Sequence, residues 1–155
     1  MTPAVSALEA SGEPFQLLTY EPAAESVDIG LAAARALGLD PALVFKTLIA
    51  QLNTGALVVA ILPVGEKLNM KRLARAAGAK SAALAPTAQA ERTTGFVTGG
   101  ISPIGQKKTL PTFLDSQSQG LETIYVSAGK RGLELALGPE SLMRISGATL
   151  VALTG

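Results

Sequence analysis

The sequence has no histidine and no cysteine among its 155 residues. Histidine is the commonest general base and a frequent metal ligand, and cysteine supplies both thiol nucleophiles and disulfides. Their absence excludes a histidine–cysteine zinc site, a Ser–His–Asp triad, a Cys–His pair and any disulfide within the chain. An enzyme built from this chain must therefore use lysine, hydroxyls, carboxylates, backbone amides or groups of its own substrate.

Aromatic residues and net charge are also scarce. Tryptophan is absent and aromatics make up 4% of the chain, whereas hydrophobic residues make up 48%. Alanine, leucine and valine must therefore fill the core, and the length is enough for one domain over residues 1–155. Thirteen Lys and Arg against twelve Asp and Glu give a net charge of +1. That balance argues against a protein that is basic all over, but it allows a local basic surface.

Long hydrophobic runs and acidic clusters are missing as well. The apolar runs are short and interrupted, and the first eleven residues lack the basic and apolar regions of a signal peptide. We therefore expect a cytoplasmic protein with no membrane partner. Without a tight group of Asp and Glu, we expect no bound metal and no cofactor.

The hydrophobic pattern and the turn residues predict a mixed arrangement of helices and strands. Between them, residues 21–26 read as a loop, and alanine-rich residues 74–90 read as helix and turn. Because the order does not follow a regular βαβ rhythm, an α+β fold with a mixed or antiparallel sheet is expected. Helices are predicted at residues 3–10, 28–37, 70–77, 88–92 and 139–145, with one further turn at 40–41. The expected N-caps of the first, third and fourth helices are Thr2, Asn69 and Thr87, and Gly12 is expected to end the first helix.

Strands are predicted at residues 15–20, 44–52, 56–62, 112–114, 123–126, 133–137 and 149–153. Asn53-Thr54-Gly55 predicts a hairpin turn between the second and third of these strands.

The most distinctive stretch is residues 94–108, TGFVTGGISPIGQKK, with four glycines, one proline and two lysines. Glycine lets a ligand approach the main-chain N–H groups closely, and proline stiffens the loop. A stiff cationic loop of this kind suits an anionic ligand or a developing oxyanion. The alternative is an ordinary tight turn between two elements. The stretch matches neither the P-loop nor the GxGxxG pattern.

Lys46 lies within LVFKTLIAQL, a run that is otherwise mostly apolar. Alternation along a strand places Lys46 on the same face as Val44, Leu48 and Ala50. A lysine in such a strand either lines a functional cleft or extends its long side chain past the edge of the sheet to water.

Two further cationic segments allow similar alternatives. Residues 127–132, SAGKRG, form either a turn with a charged tip or a second wall of the anion site suggested by residues 94–108. The basic stretch around the helix predicted at 70–77 is either a solvated helix face or a surface for backbone phosphates. Its cations are Lys67, Lys71, Arg72, Arg75 and Lys80.

Three segments together resemble the YbaK family of free-standing aminoacyl-tRNA editing proteins. They are FKTL at residues 45–48, the glycine-rich residues 94–108, and IYVSAGKRGL at residues 124–133. The resemblance extends over nearly the whole chain, and GGISPIGQKK is its longest motif. It is strongest to the bacterial Cys-tRNA(Pro) deacylases, which are similar to the editing domain inserted in bacterial prolyl-tRNA synthetases.

The resemblance implies a fold, a reaction and a set of site residues. The fold would be α+β, with a mixed, mostly antiparallel sheet curled into a partly closed barrel flanked by helices. The reaction would be metal-independent hydrolysis of the ester that joins a wrong amino acid to the 3′ end of tRNA, with prolyl-tRNA synthetase as a partner. Lys46, with the backbone at Gly100 and Ile101, would be catalytic. The expected substrate-binding residues are Tyr20, Ile29, Phe96, Gly99, Ser102, Ser127, Gly129, Lys130 and Glu134.

The chain departs from the family pattern at several positions. Ile29 stands where these deacylases usually have an aromatic residue, Phe96 where they have tyrosine, and Glu134 where they have aspartate, and residues 21–30 lack the usual HDP-type sequence. These changes affect the identity of the amino acid more than the reaction. Cys-tRNA(Pro) is the expected substrate. The alternatives are another small amino acid, such as Ala-tRNA(Pro), and a non-catalytic module that binds aminoacyl-tRNA or a nucleotide.

Overall fold

A computed structural model describes residues 1–22 and 28–155. Most of the loop predicted at residues 21–26 lies outside the described residues. Single 3₁₀ turns occur at Pro41–Leu43 and Ser116–Ser118. The helices are α1 (Pro3–Ser11), α2 (Ile29–Leu37), α3 (Met70–Ala76), α4 (Thr87–Thr94) and α5 (Pro139–Ser146). The strands are β1 (Gln16–Thr19), β2 (Phe45–Leu52), β3 (Leu57–Pro63), β4 (Ala82–Leu84), β5 (Thr112–Asp115), β6 (Ile124–Ser127), β7 (Leu133–Leu137) and β8 (Thr149–Val151).

The described strands form two sheets. The larger has the order β4-β2-β3-β5-β8 and the smaller the order β1-β7-β6. Four of the six strand pairings are antiparallel, and β3–β5 and β5–β8 are parallel. The mixed, mostly antiparallel α+β fold is therefore confirmed. The partly closed barrel is not, because neither sheet of the described part closes on itself, and a single bridge from Val44 to Tyr125 connects them.

The hairpin predicted from Asn53-Thr54-Gly55 is present between β2 and β3. Gly55 N–H donates to Leu52 O at 2.8 Å, and the register runs from Phe45 opposite Pro63 to Gln51 opposite Leu57. Every residue of β3 is buried, as expected for a continuous apolar strand in the middle of a sheet.

Strand β4 was not predicted from the sequence. Its three residues are part of the alanine-rich stretch that reads as helix and turn, since alanine is a poor strand former. In the structure it pairs with the end of β2, placing Ala82 opposite Leu52 and Leu84 opposite Ala50. Hydrogen bonding to a neighbouring strand therefore outweighs local preference here, but only over this short length.

Apolar side chains pack on both faces of the larger sheet. Phe45 and Ile49 of β2 belong to one buried cluster, whereas Ala50 and Leu52 belong to another. Leu73 of α3 lies in the second cluster, so α3 packs against that face. This division follows the alternation of side chains along a strand.

Side-chain caps begin several helices where the sequence predicts them. The side chains of Thr2, Asp28 and Asn69 accept hydrogen bonds from N–H groups in the first turns of α1, α2 and α3. Thr87, predicted to cap α4, is instead its first residue, and Pro86 precedes it without a side-chain hydrogen bond. None of the helices described is long and apolar enough to cross a membrane.

Candidate active site

A cavity of about 350 Å³ lies along one edge of β2. We call it the β2-edge cavity. Its walls come from the end of β1, the start of α2, residues 44–49, Val64, the β4–α4 region, strands β6 and β7, and Thr98, Gly99 and Ile101 of the glycine-rich segment. Seven residues predicted from the sequence line it: Tyr20, Ile29, Lys46, Gly99, Ile101, Ser127 and Glu134.

The cavity exists because β2 has a neighbour along only part of this edge. On its other edge, β2 pairs with β3 from Phe45 to Gln51, but β4 pairs only with residues 50–52. Ile49 O accepts from Ala85 N–H on the β4 side. Because backbone groups alternate along a strand, the N–H and C=O of Thr47 point to this same side, where no strand pairs with them.

Lys46 brings a positive charge into the cavity. Its side chain is half-buried, and Nζ donates to Val64 O at 3.4 Å. Among residues 1–22 and 28–155, the only ion pair joins Arg144 to Glu13, so no carboxylate of the described chain neutralises Lys46 at contact distance. The ammonium is therefore available to an anionic ligand.

The glycine-rich segment contributes backbone rather than side-chain chemistry. Gly99 and Ile101 line the cavity. Ile101 N–H has no hydrogen-bond acceptor within the part of the chain that the structure describes. Gly100 is different: it does not line the cavity, and its N–H donates to Val97 O at 2.9 Å. The catalytic role of the Gly100 backbone stays a prediction, and in this arrangement a turn already uses its amide.

The two glycine segments pack against each other, as the sequence allowed. A Cβ on Gly100 would lie 3.2 Å from both Arg131 N and Lys130 Cα. The absence of a side chain there lets the two backbones touch. The first residue of the second segment, Ser127, lines the cavity. The paired segments therefore share one wall.

Phe96, Gly129, Ser102 and Lys130 do not line the cavity, and their contacts with substrate stay a prediction. Gly129 has a φ of +101°, and a Cβ there would lie 2.6 Å from the Phe96 ring, so the buried ring packs directly on this glycine. Ser102 is fully buried, and its Oγ accepts from Ile104 N–H. Phe96, Gly129 and Ser102 support the loops, and Lys130 is exposed beside them.

Glu134 is a buried acid in the cavity wall. Only 5% of it is exposed, and the strand register places it between Leu18 of β1 and Ser127 of β6. Burial raises the pKa of its carboxyl to about 8. Glu134 is therefore mostly neutral at pH 7 and can donate a hydrogen bond, which an ionised carboxylate cannot do.

Thr47 is a cavity residue that sequence reasoning missed. Its Oγ1 is the one buried side-chain polar atom without a hydrogen-bond partner among the residues described. Alternation along β2 places the Thr47 side chain on the face opposite that of Lys46. Choosing Lys46 as a candidate therefore did not identify Thr47 from the sequence. Both residues line the cavity, although Thr47 Oγ1 itself is buried. Other lining residues without a sequence signal include Asp28, Thr87 and Thr98.

The described residues contain no group of three or more carboxylates that could hold a metal ion. Among the described residues, the cavity combines the Lys46 ammonium, the neutral acid Glu134, the Asp28 carboxylate and the backbone of Ile101, and the unpartnered hydroxyl belongs to the lining residue Thr47. These groups can bind a phosphate, hold a carbonyl oxygen and position an uncharged leaving group.

A family model and a relative of known family both match most of this chain. A family model described as "Aminoacyl-tRNA editing domain" matches residues 24–145. A protein of Enterococcus faecalis named "Putative Cys-tRNA(Pro)/Cys-tRNA(Cys) deacylase EbsC" is 39% identical over 123 residues, which are 79% of this chain and 75% of that protein.

Solved structures with low sequence identity share the fold. One is described as "Crystal structure of a putative trans-editing enzyme for prolyl tRNA synthetase"; it superimposes with a TM-score of 0.86 at 22% identity and covers 99% of this chain and 95% of its own. Another, "hypothetical protein APE2540", has a TM-score of 0.88 at 22% identity and covers 99% of this chain and 100% of its own.

Proposed function

This chain belongs to the aminoacyl-tRNA editing domain family, and from this premise we propose that it hydrolyses mischarged Cys-tRNA(Pro) in trans. The family match and the deacylase relative support an ester hydrolase acting on aminoacyl-tRNA. The single observation that carries the proposed site is that one cavity is lined by Lys46 and by Ile101, whose N–H has no acceptor among the described residues.

In the proposed complex, Lys46 binds the terminal ribose–phosphate of the tRNA as a point charge. The ester carbonyl lies against the glycine-rich segment, where Ile101 N–H stabilises the oxyanion that forms when water adds to the carbonyl carbon. One such donor is worth roughly 3 kcal/mol in the transition state. The bond from the acyl carbon to the ribose oxygen then breaks, and that oxygen takes up the proton that the attacking water loses, which gives the free amino acid and the terminal hydroxyl of the tRNA.

In the same proposal, Thr47 and Glu134 make the remaining polar contacts with the substrate. An amino acid ester carries an ammonium group, which needs acceptors. A neutral Glu134 does not offer a full negative charge at pH 7, so the ammonium binds the unpaired C=O and the hydroxyl of Thr47 on the open edge of β2. Glu134 donates a hydrogen bond to an oxygen or sulfur of the substrate.

No protein nucleophile is required for this reaction. An aminoacyl ester is already activated, and a cysteine thiol or a ribose hydroxyl of the substrate itself can assist. Because a thiol is much more acidic than an alcohol, chemistry favours cysteine over serine or alanine. A cavity of about 350 Å³ is at the small end for ligand sites, which favours a small acyl group.

The test is a deacylation panel. Purified protein is incubated with cysteinyl-, alanyl-, seryl- and prolyl-tRNA(Pro), and the remaining ester is counted over time. We expect rapid loss of the cysteinyl ester and retention of the prolyl ester. Faster loss of the alanyl ester would reassign the substrate.

A non-catalytic binding module is the second candidate, and one observation favours it. The Gly100 amide is already hydrogen-bonded within its turn, so the oxyanion site holds one free amide rather than two. Tight binding of aminoacyl-tRNA without loss of any ester would support this module. Repeating the panel with prolyl-tRNA synthetase added tests whether that enzyme is a partner.

A further inference from the structure

Although the net charge is only +1, positive charge is concentrated in one segment of the chain. Residues 67–80 contain five of the thirteen Lys and Arg and no Asp or Glu. The rest of the chain therefore has eight cations against twelve acids. We call the five cations the basic surface: Lys67, Lys71, Arg72, Arg75 and Lys80.

The structure exposes all five cations. Leu73 and Ala74 are the buried residues of α3 and anchor it to the larger sheet, so the charged side chains remain in solvent. Lys71 and Arg75 are four residues apart and lie on the same side of the helix. The neighbouring acid, Glu66, is exposed and forms no ion pair with them. The basic surface is therefore not neutralised at contact distance by any described carboxylate.

The basic surface begins next to the β2-edge cavity. Val64 lines that cavity, and its C=O accepts from Lys46 Nζ. Lys67 is three residues further along the chain, so its Cα lies at most about 11 Å from that of Val64. A shallow cleft lined by residues 65–69 and Gly155 separates the cavity wall from α3. A ligand that extends out of the cavity over this cleft meets Lys67 first and then the cations of α3.

We propose that the basic surface binds the sugar–phosphate backbone of the acceptor stem of a tRNA whose 3′ end occupies the β2-edge cavity. This proposal rests on the proposed function, because a nucleotide in the cavity must continue into a phosphate chain. Residues 67–80 contain no aromatic residue on which a base could stack. Exposed Lys and Arg contact phosphates without reading sequence, so this surface supplies affinity rather than tRNA identity.

The experiment compares a long and a short substrate. The double variant K71E/R75E is assayed on cysteinyl-tRNA(Pro) and on the 2′(3′)-cysteinyl ester of adenosine monophosphate, which has no stem. On the tRNA we expect KM to rise about 10-fold or more, kcat to stay within 2-fold, and the slope of log affinity against log salt to become shallower by about 2. The short ester should be hydrolysed as fast as by the wild type.

The matched control is R35E/R92E, which makes the same charge change at two exposed arginines on α2 and α4. An equal loss in both double variants would overturn the proposal, because net charge rather than this surface would then control binding. An unchanged KM on tRNA in K71E/R75E, or an equal loss on the short ester, would also overturn it. Thermal unfolding midpoints show whether each variant is folded.

Binding of uncharged tRNA separates this proposal from the proposed function. If the wild type hydrolyses neither ester but binds tRNA, and K71E/R75E weakens that binding more than R35E/R92E does, the deacylase fails and the basic surface stands. If the wild type hydrolyses both esters but K71E/R75E binds tRNA normally, the basic surface fails and the deacylase stands.

Discussion

At the scale of single residues, the site depends on polar groups that the protein itself leaves unpaired. The ammonium of Lys46 meets only a backbone carbonyl, and the hydroxyl of Thr47 has no partner among the described residues. An unpaired buried hydroxyl costs roughly 1–3 kcal/mol of stability. In the proposed complex, a ligand that supplies the missing partner regains this free energy on binding.

Lys46 is predicted to be indispensable. Lys46→Ala removes the only cation that lines the described cavity, and a lost charge-assisted contact costs about 2–3 kcal/mol, so kcat/KM should fall about 100-fold. The measurement is single-turnover deacylation, with far-UV circular dichroism to show that the fold is intact. Lys107→Ala, an exposed lysine outside the cavity, is the control and should keep wild-type activity. Full activity of Lys46→Ala would refute the assigned role.

Thr47→Val should separate stability from activity. Valine has nearly the same shape but no hydroxyl to leave unpaired, so the free energy of unfolding should rise by about 1 kcal/mol in chemical denaturation. Loss of the substrate contact should lower kcat/KM about 10-fold. Thr47→Ser keeps the hydroxyl and should keep most activity. If Thr47→Val is as active as the wild type, the hydroxyl does not contact substrate.

At the scale of elements, the site is produced by a mismatch in strand length. β2 is eight residues long, whereas β4 has only three residues. β4 pairs only with residues 50–52, at the end of β2 next to the hairpin turn. The unpaired half of that edge becomes the cavity wall, and the two packed glycine segments close it from the other side. Helix α3 packs on the sheet face that carries Ala50 and Leu52, and it holds the basic surface in place.

The cap of α3 should contribute to stability but not to chemistry. Asn69 Oδ1 accepts from Arg72 N–H, and its amide donates to Gly155 O. Asn69→Ala should lower the free energy of unfolding by about 1 kcal/mol and the thermal midpoint by about 2–4 °C. Asn69→Asp keeps the capping oxygen and should lose less. Hydrolysis of the short ester should not change; a large loss there would connect α3 to the cavity itself.

At the scale of the whole molecule, charge is arranged by region and by depth. The five cations of the basic surface are exposed to solvent, whereas the acid Glu134 is buried. The carboxyl of Glu13, which joins the region after α1 to Arg144 of α5, has a pKa lowered to about 2 by hydrogen bonds from Arg144 and Ser141. Burial has the opposite effect on Glu134, whose pKa is raised to about 8. Stability should therefore depend on pH on both sides of neutrality.

Glu134 should make the protein less stable as pH rises from about 5 to 8. The unfolded chain releases this proton near pH 4.5, whereas the folded protein retains it until about pH 8, so the unfolded state binds fewer protons in this range. The free energy of unfolding should fall by up to about 1 kcal/mol per pH unit. Glu134→Gln cannot ionise and should flatten this decline in urea titrations at several pH values. An unchanged decline would show that Glu134 is ionised in the folded state.

Glu13 should affect the stability of the protein at acid pH. Its lowered pKa means that the folded state favours the carboxylate, so its contribution to stability is present above about pH 4.5 and is lost as pH falls towards 2. Glu13→Gln should therefore reduce the loss of thermal midpoint between pH 5 and pH 2. Glu9→Gln, on an exposed residue of α1, is the matched control and should leave that loss unchanged.

The sequence alone determined most of the elements, because their signals are local. Caps such as Thr2 and Asn69, the stop at Gly12 and the Asn53-Thr54-Gly55 turn act within a few residues, and the structure confirms them. The absence of histidine and cysteine restricted the chemistry before any fold was known. The resemblance to editing proteins was confirmed by the family match.

Only the tertiary structure decided which of these residues meet. Strand β4 forms through pairing with β2 despite poor local preference, and its short length opens the cavity. The Gly100 amide is used by a turn, while the Ile101 amide and the Thr47 hydroxyl have no partner in the part of the chain that the structure describes. Whether a polar group is satisfied depends on neighbours distant in the chain, and neither composition nor spacing contains that information.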